Sequence, residues 1–523
     1  MATDVASSAP SPTPSNFFSR TRIIAPKEFN RWLIPPAALA IHLSIGQVYA
    51  FSVFKAPLME FFDVREVAVG WIFSLAIGML GLSSAIAGNW VERVGPRASM
   101  AAAGLFWVVG FFVATFGLAT GQLWLVYLGY GVIGGIGLGI GYISPVSTLM
   151  KWFPDKPGLA TGMAIMGFGG GALIASPASN TLMELFGGGS ETAELADGLY
   201  GTFLTLAILY LVVIALGSYA IRLPHPDWRP EGYDPAKNSG SKMKTAGNVS
   251  ANTAVRTPQF WLLWIVLFVN VTAGIGILEN AAPMAQDYFP EITAGAAAGY
   301  VGLLSLANMG GRFVWSTVSD WIGRKNTYFL YLGVGLALYL VVASFSSASL
   351  AIFVLATLVI ISFYGGGFST VPAYLKDLFG VYNVGAIHGR LLTAWAAAGI
   401  AGPLIVNTLV EAQADAGQEG ADLYRASLFL MCGLLAVGVV ANLLIKPVDE
   451  KHHVAAEVVK EKEAADRKAV DDAEQAARES GKAKGNSSFA HNAVSLILGI
   501  FIGASLAFGL WDTMSRAAGL FTG

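Results

Sequence analysis

GNWVERVGPR, from Gly88 to Arg97, and STVSDWIGRK, from Ser316 to Lys325, are two versions of one loop. Glu92 matches Asp320 and Gly95 matches Gly323, both at an offset of 228 residues. A second echo pairs Lys151 with Lys376 and Gly162 with Gly389, at offsets of 225 and 227. Two agreeing echoes imply that a block of about 200 residues occurs twice in parallel, which is the plan of carriers built from two like halves around a central site.

The sequence on either side of these loops says what the blocks are made of. Hydrophobic residues make up 54% of the chain and charged residues 13%, against about 25% charged in an average soluble domain. A bilayer core about 30 Å thick calls for about 20 mostly apolar residues per spanning helix. Twelve such runs precede residue 447: 32–54, 69–87, 98–118, 123–149, 158–183, 199–221, 259–283, 293–318, 327–346, 349–371, 386–411 and 424–445. A thirteenth, 489–511, follows a charged segment. The expected fold class is an all-α membrane protein with 6+6 transmembrane helices in two pseudo-symmetric halves, plus a thirteenth helix at the C-terminal end. The expected organisation is a disordered cytoplasmic N-terminal stretch (1–29), a first six-helix half (30–222), a cytoplasmic linker (223–258), a second half (259–446), a charged cytoplasmic segment (447–488) and the extra transmembrane helix (489–523).

Loop charge orients the chain. Arg93, Arg97, Lys151, Lys156, Arg324, Lys325 and Lys376 fall on one side, with Arg222, Arg229, Lys237, Lys242, Lys244 and Arg256 in the central loop. Glu191, Glu194, Asp197, Asp287, Glu291, Asp415, Glu419 and Asp422 fall on the other, with Lys55 and Arg65 as exceptions. The basic side is expected to be cytoplasmic, together with the N-terminus, in a bacterial inner membrane. No Cys/His cluster has metal-ligand spacing, and Cys432 is the single cysteine. No basic arm with stacking aromatics suggests nucleic acid, and no nucleotide-binding loop is present. Gly135, Gly137, Gly139 and Gly141 lie inside one apolar run, where close helix packing explains them better than a dinucleotide turn. No catalytic constellation, cofactor or metal is expected.

GNWVERVGPR resembles the cytoplasmic loop signature of the major facilitator superfamily, departing from it at Glu92, where Asp is usual, and at Pro96, where a basic residue is common. The resemblance implies a conformational latch made by Glu92 and Arg93 in the first half and Asp320 and Arg324 in the second. Setting topology by charge is the alternative. GIGLGIGYISPVSTLMKWFPDKPGLATGMAIMGFGGGAL (Gly135 to Leu173), GQVYAFSVFKAPL (Gly46 to Leu58) and TAWAAAGIAGPL (Thr393 to Leu404) are similar to the oxalate/formate antiporter family, and more distantly to monocarboxylate transporters, over roughly 30–446.

Arg312, in ANMGGRFVWSTVSD, stands eight residues before Asp320, about 12 Å along a helix and well inside the membrane. An arginine there is costly and usually functional, and its fork suits a carboxylate. The resembling family has a carboxylate-binding arginine at this position. Capping main-chain carbonyls is the alternative. Asn308 lies one turn earlier on the same face. Animal monocarboxylate transporters have Asp there, and Asn cannot titrate, so proton coupling would need another group: His42, or Glu279 near the outer end of the seventh run. Tyr49, Tyr142 and Asn270 are further substrate-binding candidates that serve equally as packing residues. Oxalate-specific relatives carry a lysine near Ala394 or Trp395. This chain has no cation there, which favours monocarboxylates, with Trp395 closing over an apolar tail. Arg390 keeps a dicarboxylate open.

The function expected is a secondary active transporter that moves small carboxylate anions by alternating access, with lactate, pyruvate or formate favoured, by proton symport or anion exchange. An oxalate/formate-type antiporter and a transporter-like nutrient sensor are the alternatives. The expected partners are the anion, protons and the lipid bilayer.

Overall fold

The computed structural model describes residues 17–187, 192–233, 245, 247–345, 348–479, 485–518 and 520. Residues 1–16 of the expected tail, 234–244 and 246 of the linker, and 480–484 of the charged segment lie outside the described residues. Among the described residues the chain is helical, and its extended pairings are two isolated bridges, Ile24 with Leu223 and Val249 with His453.

The first half contains α1 (Arg31–Ala50), α2 (Val67–Val94), α3 (Pro96–Ala119), α4 (Leu123–Trp152), α5 (Pro157–Phe186) and α6 (Leu195–Ala220). The second contains α7 (Pro258–Glu279), α8 (Ala294–Ile322), α9 (Arg324–Phe345), α10 (Leu350–Phe379), α11 (Val384–Asp415) and α12 (Asp422–Leu444). The polar α13 (Ala456–Glu479) and the apolar α14 (Gly485–Ala517) follow. Among the described residues, twelve helices, α14 among them, are long and apolar enough to cross a bilayer. α8 has the length, 29 residues, but not the apolarity, because it carries Asn308, Arg312 and Asp320. The chain is a multi-pass membrane protein.

The two repeated loops have one backbone shape. Gly95 has φ of 85° and Gly323 of 84°, a region that L side chains rarely adopt, so glycine lets each chain turn directly into the next helix. The halves meet along one seam, where α5 packs against α8 and α10, and α2 packs against α11. Small residues let the backbones approach: a Cβ added to Gly81 of α2 would lie 2.5 Å from the Ala396 side chain of α11.

α14 also bridges this seam. It packs on α1, α5 and α6 of the first half and on α8 of the second. It begins beside α6, where the rings of His491 and Tyr219 stack at 4.2 Å. It ends beside α8, where Gly299 and Gly302 leave room for Ala517 and Thr513.

Candidate functional site

α1 unwinds into a tighter turn at Gly46–Ala50. Gly46 lies against the backbone of Phe168 in α5. This break presents Tyr49 to the seam, where its hydroxyl is 3.2 Å from that of Tyr364 on α10. Directly opposite stands Arg312 of α8, 0% exposed.

Two arms tether the guanidinium. Nε donates to Oδ1 of Asn308 at 3.0 Å, and Nη1 donates to the carbonyl oxygen of Ile165 in α5 at 3.3 Å. The stem fits because α5 has glycine at 169: a Cβ there would lie 2.8 Å from Nε and 2.9 Å from Cδ. The cation lies 5.8 Å from the ring centres of Tyr49 and Phe168 and 5.1 Å from that of Phe368. Aromatic faces stabilise a desolvated cation by about 2 kcal/mol. The remaining nitrogen, Nη2, is buried without a partner.

Three more buried groups at the seam share this condition: Tyr142 Oη, Trp395 Nε1 and both ring nitrogens of His388. The rings of Tyr142 and Trp395 are 5.2 Å apart, and those of Tyr142 and His388 are 5.9 Å apart. Trp395 packs on Phe168 and Phe368, the same rings that face Arg312, and lies 6.4 Å from Tyr49. A buried polar group without a partner is unfavourable by about 1–3 kcal/mol. Arg312 Nη2, Tyr142 Oη and Trp395 Nε1 form a set of donors suited to an anion, and His388 lies against the Tyr142 ring.

Of the residues singled out in the sequence, the structure gathers Arg312, Asn308, Tyr49, Tyr142 and Trp395 here. His42 adjoins them, its ring stacked on Tyr142 at 5.4 Å. Each of its nitrogens faces a main-chain carbonyl, Nδ1 that of Ala164 and Nε2 that of Tyr142 at 3.0 Å. Asn270 lines a small cavity of the second half together with Tyr364, Gly274, Tyr331 and Tyr339, and its Oδ1 is also buried without a partner. Glu279 ends α7, and its side chain falls outside the described residues. Arg390 turns away from the seam and donates to Oδ1 of Asn252 at 2.6 Å. His388 was not among the sequence candidates. A histidine beside a glycine and an arginine reads as interfacial, and only the packing of α11 on α2 and α4 buries it.

The repeated loops close the basic side symmetrically. Glu92 Oε1 accepts from the N–H groups of Gly385 and Ala386 at 2.9 and 3.2 Å, and Oε2 accepts from Asn383 Nδ2 at 3.1 Å. Asp320 accepts from the N–H groups of Gly158 and Leu159 at 2.9 and 3.1 Å. Each carboxylate therefore caps the first turn of a helix in the opposite half, α11 or α5, where free N–H groups and the helix dipole favour negative charge. Arg324 pairs with Asp320 and, at 3.5 Å, with Asp377. In the first half Pro96 occupies the place of Arg324, and Arg93 is exposed.

The model of the Major Facilitator Superfamily matches residues 37–403. The chain belongs to that superfamily. It is 27% identical over 378 residues to the oxalate:formate antiporter of Oxalobacter formigenes, covering 71% of this chain and 83% of that protein. It is 24% identical over 452 residues to apicoplast pyruvate carrier 1 of Toxoplasma gondii, covering 78% and 79%. The crystal structure of the transporter FucP in the outward conformation shares the fold, with a TM-score of 0.59 at 15% identity over 80% of this chain and all of that one. The chain is thus a transporter of the major facilitator fold and not an enzyme.

Proposed function

We propose that this transporter carries small monocarboxylates across a bacterial inner membrane, with its basic side in the cytoplasm. The observation that carries this reading is Arg312: a fully buried guanidinium, two of whose nitrogens are tethered while Nη2 has no protein partner. A carboxylate on Nη2 would add a charge-assisted bond where water is excluded. Tyr142 Oη and Trp395 Nε1 are neutral donors within the same cluster. The Phe168, Phe368 and Trp395 rings suit a short apolar tail. A second carboxylate would meet no second cation, which weighs against oxalate. The relatives named for oxalate and formate and for pyruvate support a carboxylate as cargo.

In this reading Glu92 and Asp320 hold the cytoplasmic side shut while the substrate enters from the other side. The caps break when the halves rock, and Arg324 steadies the second of them. Asn308 orients the guanidinium of Arg312. Asn270 lines, with Tyr364, the cavity on the second-half side of the site.

The test is uptake of labelled lactate, pyruvate, formate and oxalate by the purified protein in liposomes. Monocarboxylate uptake is expected, falling to background in Arg312→Ala. Equal uptake by the variant would refute the assignment.

A further inference from the structure

Of Arg312, Tyr142, Trp395 and His388, the residues of the central cluster with unpartnered polar atoms, His388 is the one to which the carrier cycle above gives no task. It lies on α11 two residues after Ala386, whose N–H binds Glu92, and seven residues before Trp395. Seven residues are about two helical turns, so His388 and Trp395 occupy nearly the same face. The imidazole is 1% exposed and both nitrogens are unpartnered. A neutral imidazole offers one donor and one acceptor, and here neither is met. Its ring contact is Tyr142, whose ring also stacks on His42. Two histidines from opposite halves thus contact one tyrosine ring.

We propose that His388 is the proton-carrying residue of this transporter, taking up a proton when a carboxylate sits on Arg312, so that anion and proton cross together. This rests on the carboxylate reading above. Among the unpartnered groups, arginine, tyrosine and tryptophan keep their protons throughout the physiological range, and only the imidazole exchanges one there. His42 is the other histidine of the cluster, but each of its nitrogens faces a main-chain carbonyl, so even its neutral ring donates to one of them and is fixed in place. Nothing holds the nitrogens of His388, which stands between the anion site and the helix start that Glu92 clamps.

Charge gives the order of events. His388 lies against Tyr142, one of the unpartnered donors offered to the anion. A carboxylate bound there attracts a positive charge on His388, so anion and proton each strengthen binding of the other by the same factor. The segment Val384–Leu391 packs against α2, α4, α10, the rest of α11 and the short helix Ala251–Ala254. The ionisable groups nearest the segment on these elements are Glu92 on α2, Tyr142 and Lys151 on α4, and Lys376 and Asp377 on α10. The segment itself adds Arg390, and Ala251–Ala254 has none. Glu92 is engaged by Gly385, Ala386 and Asn383, Lys376 by the Pro154 carbonyl, Asp377 by Arg324 and Arg390 by Asn252.

The full chain in liposomes containing a pH-reporting dye tests this by two assays on each variant. One is exchange of external labelled lactate for internal lactate at equal pH, and the other is lactate accumulation driven by an inward proton gradient. His388→Gln and His388→Asn are expected to keep exchange within about threefold of the parent. Gradient-driven accumulation, and the acidification that accompanies it, should fall about tenfold or more, within the usual range of a coupling free energy. A parent that exchanges lactate but does not accumulate it in response to the proton gradient would overturn this proposal alone, as would variants that accumulate lactate like the parent. Exchange and accumulation falling together in both folded variants would make His388 structural and overturn it too. A parent that moves no carboxylate in either assay would overturn both readings.

Discussion

At the scale of single residues, the site is arranged around one arginine and the glycine that admits it. Gly169 should therefore be intolerant of any side chain, since a Cβ there would lie 2.8 Å from Nε of Arg312. Gly169→Ala is expected to weaken lactate binding about tenfold, the equivalent of one charge-assisted hydrogen bond lost or misplaced. Gly310, with nothing within 4 Å of its would-be Cβ, is the control: Gly310→Ala should bind as the parent does. Substrate-induced quenching of tryptophan fluorescence reads both. Trp395 is the residue for selectivity. Trp395→Lys places an ammonium where this chain has a neutral indole, and should shift the oxalate-to-lactate uptake ratio upward by about tenfold or more, as expected for a buried charge gaining a partner. Arg312, Tyr49, Tyr142 and Trp395 were legible in the sequence because polar or aromatic groups in apolar runs are conspicuous. His388 was not, because its burial comes from helices 240 to 300 residues away in sequence.

At the scale of elements, a pair of cross-capped helices closes the basic side. Each cap is worth about 1 kcal/mol, so removing both should shift the balance between closed and open states by well over tenfold. Glu92→Ala with Asp320→Ala is expected to expose the seam. The readout is a cysteine replacing Ser147, which is 6% exposed and lies near Gly385, in a Cys432→Ser background. Labelling by an impermeant maleimide from the basic side should be at least about tenfold faster in the double variant. Equal rates would show that the caps do not hold this side shut. The sequence repeat located both loops. That each acid reaches across to main-chain N–H groups of the opposite half, Asp320 while also pairing with Arg324 of its own loop, required the structure. α14 makes a second kind of bridge. A Cβ on Gly302 would lie 2.6 Å from Thr513, so Gly302→Leu should loosen α14 and lower the midpoint of thermal unfolding in detergent by several degrees, in line with overpacking costs of about 1–3 kcal/mol. Lactate exchange at low temperature should persist, because the anion site lies between α1, α4, α5, α8, α10 and α11.

At the scale of the whole molecule, two parallel six-helix blocks enclose a dry, cationic centre. The architecture was readable from the twelve apolar runs and the 228-residue echo. Most expected spans agree with the helices to within a few residues, as 98–118 does with Pro96–Ala119, while 69–87 and 349–371 stop seven and eight residues short of the ends of Val67–Val94 and Leu350–Phe379. α8, expected as the run 293–318, is a helix whose polar residues make it too polar to qualify as a span by average hydropathy. The last run begins earlier and ends later than its apolar core suggests, over Gly485–Ala517, because Thr513 and Ala517 find room against the glycines of α8.

The central claim is that a buried guanidinium carries the cargo. Its most direct test is labelled lactate uptake into liposomes by the purified chain and by Arg312→Lys, which keeps the charge but loses the planar fork. The account predicts saturable uptake by the parent and a loss of about tenfold or more in the lysine variant, because an ammonium cannot hold the tether to Asn308 and Ile165 while binding a carboxylate. Undiminished uptake by Arg312→Lys, or none by the parent, would contradict it.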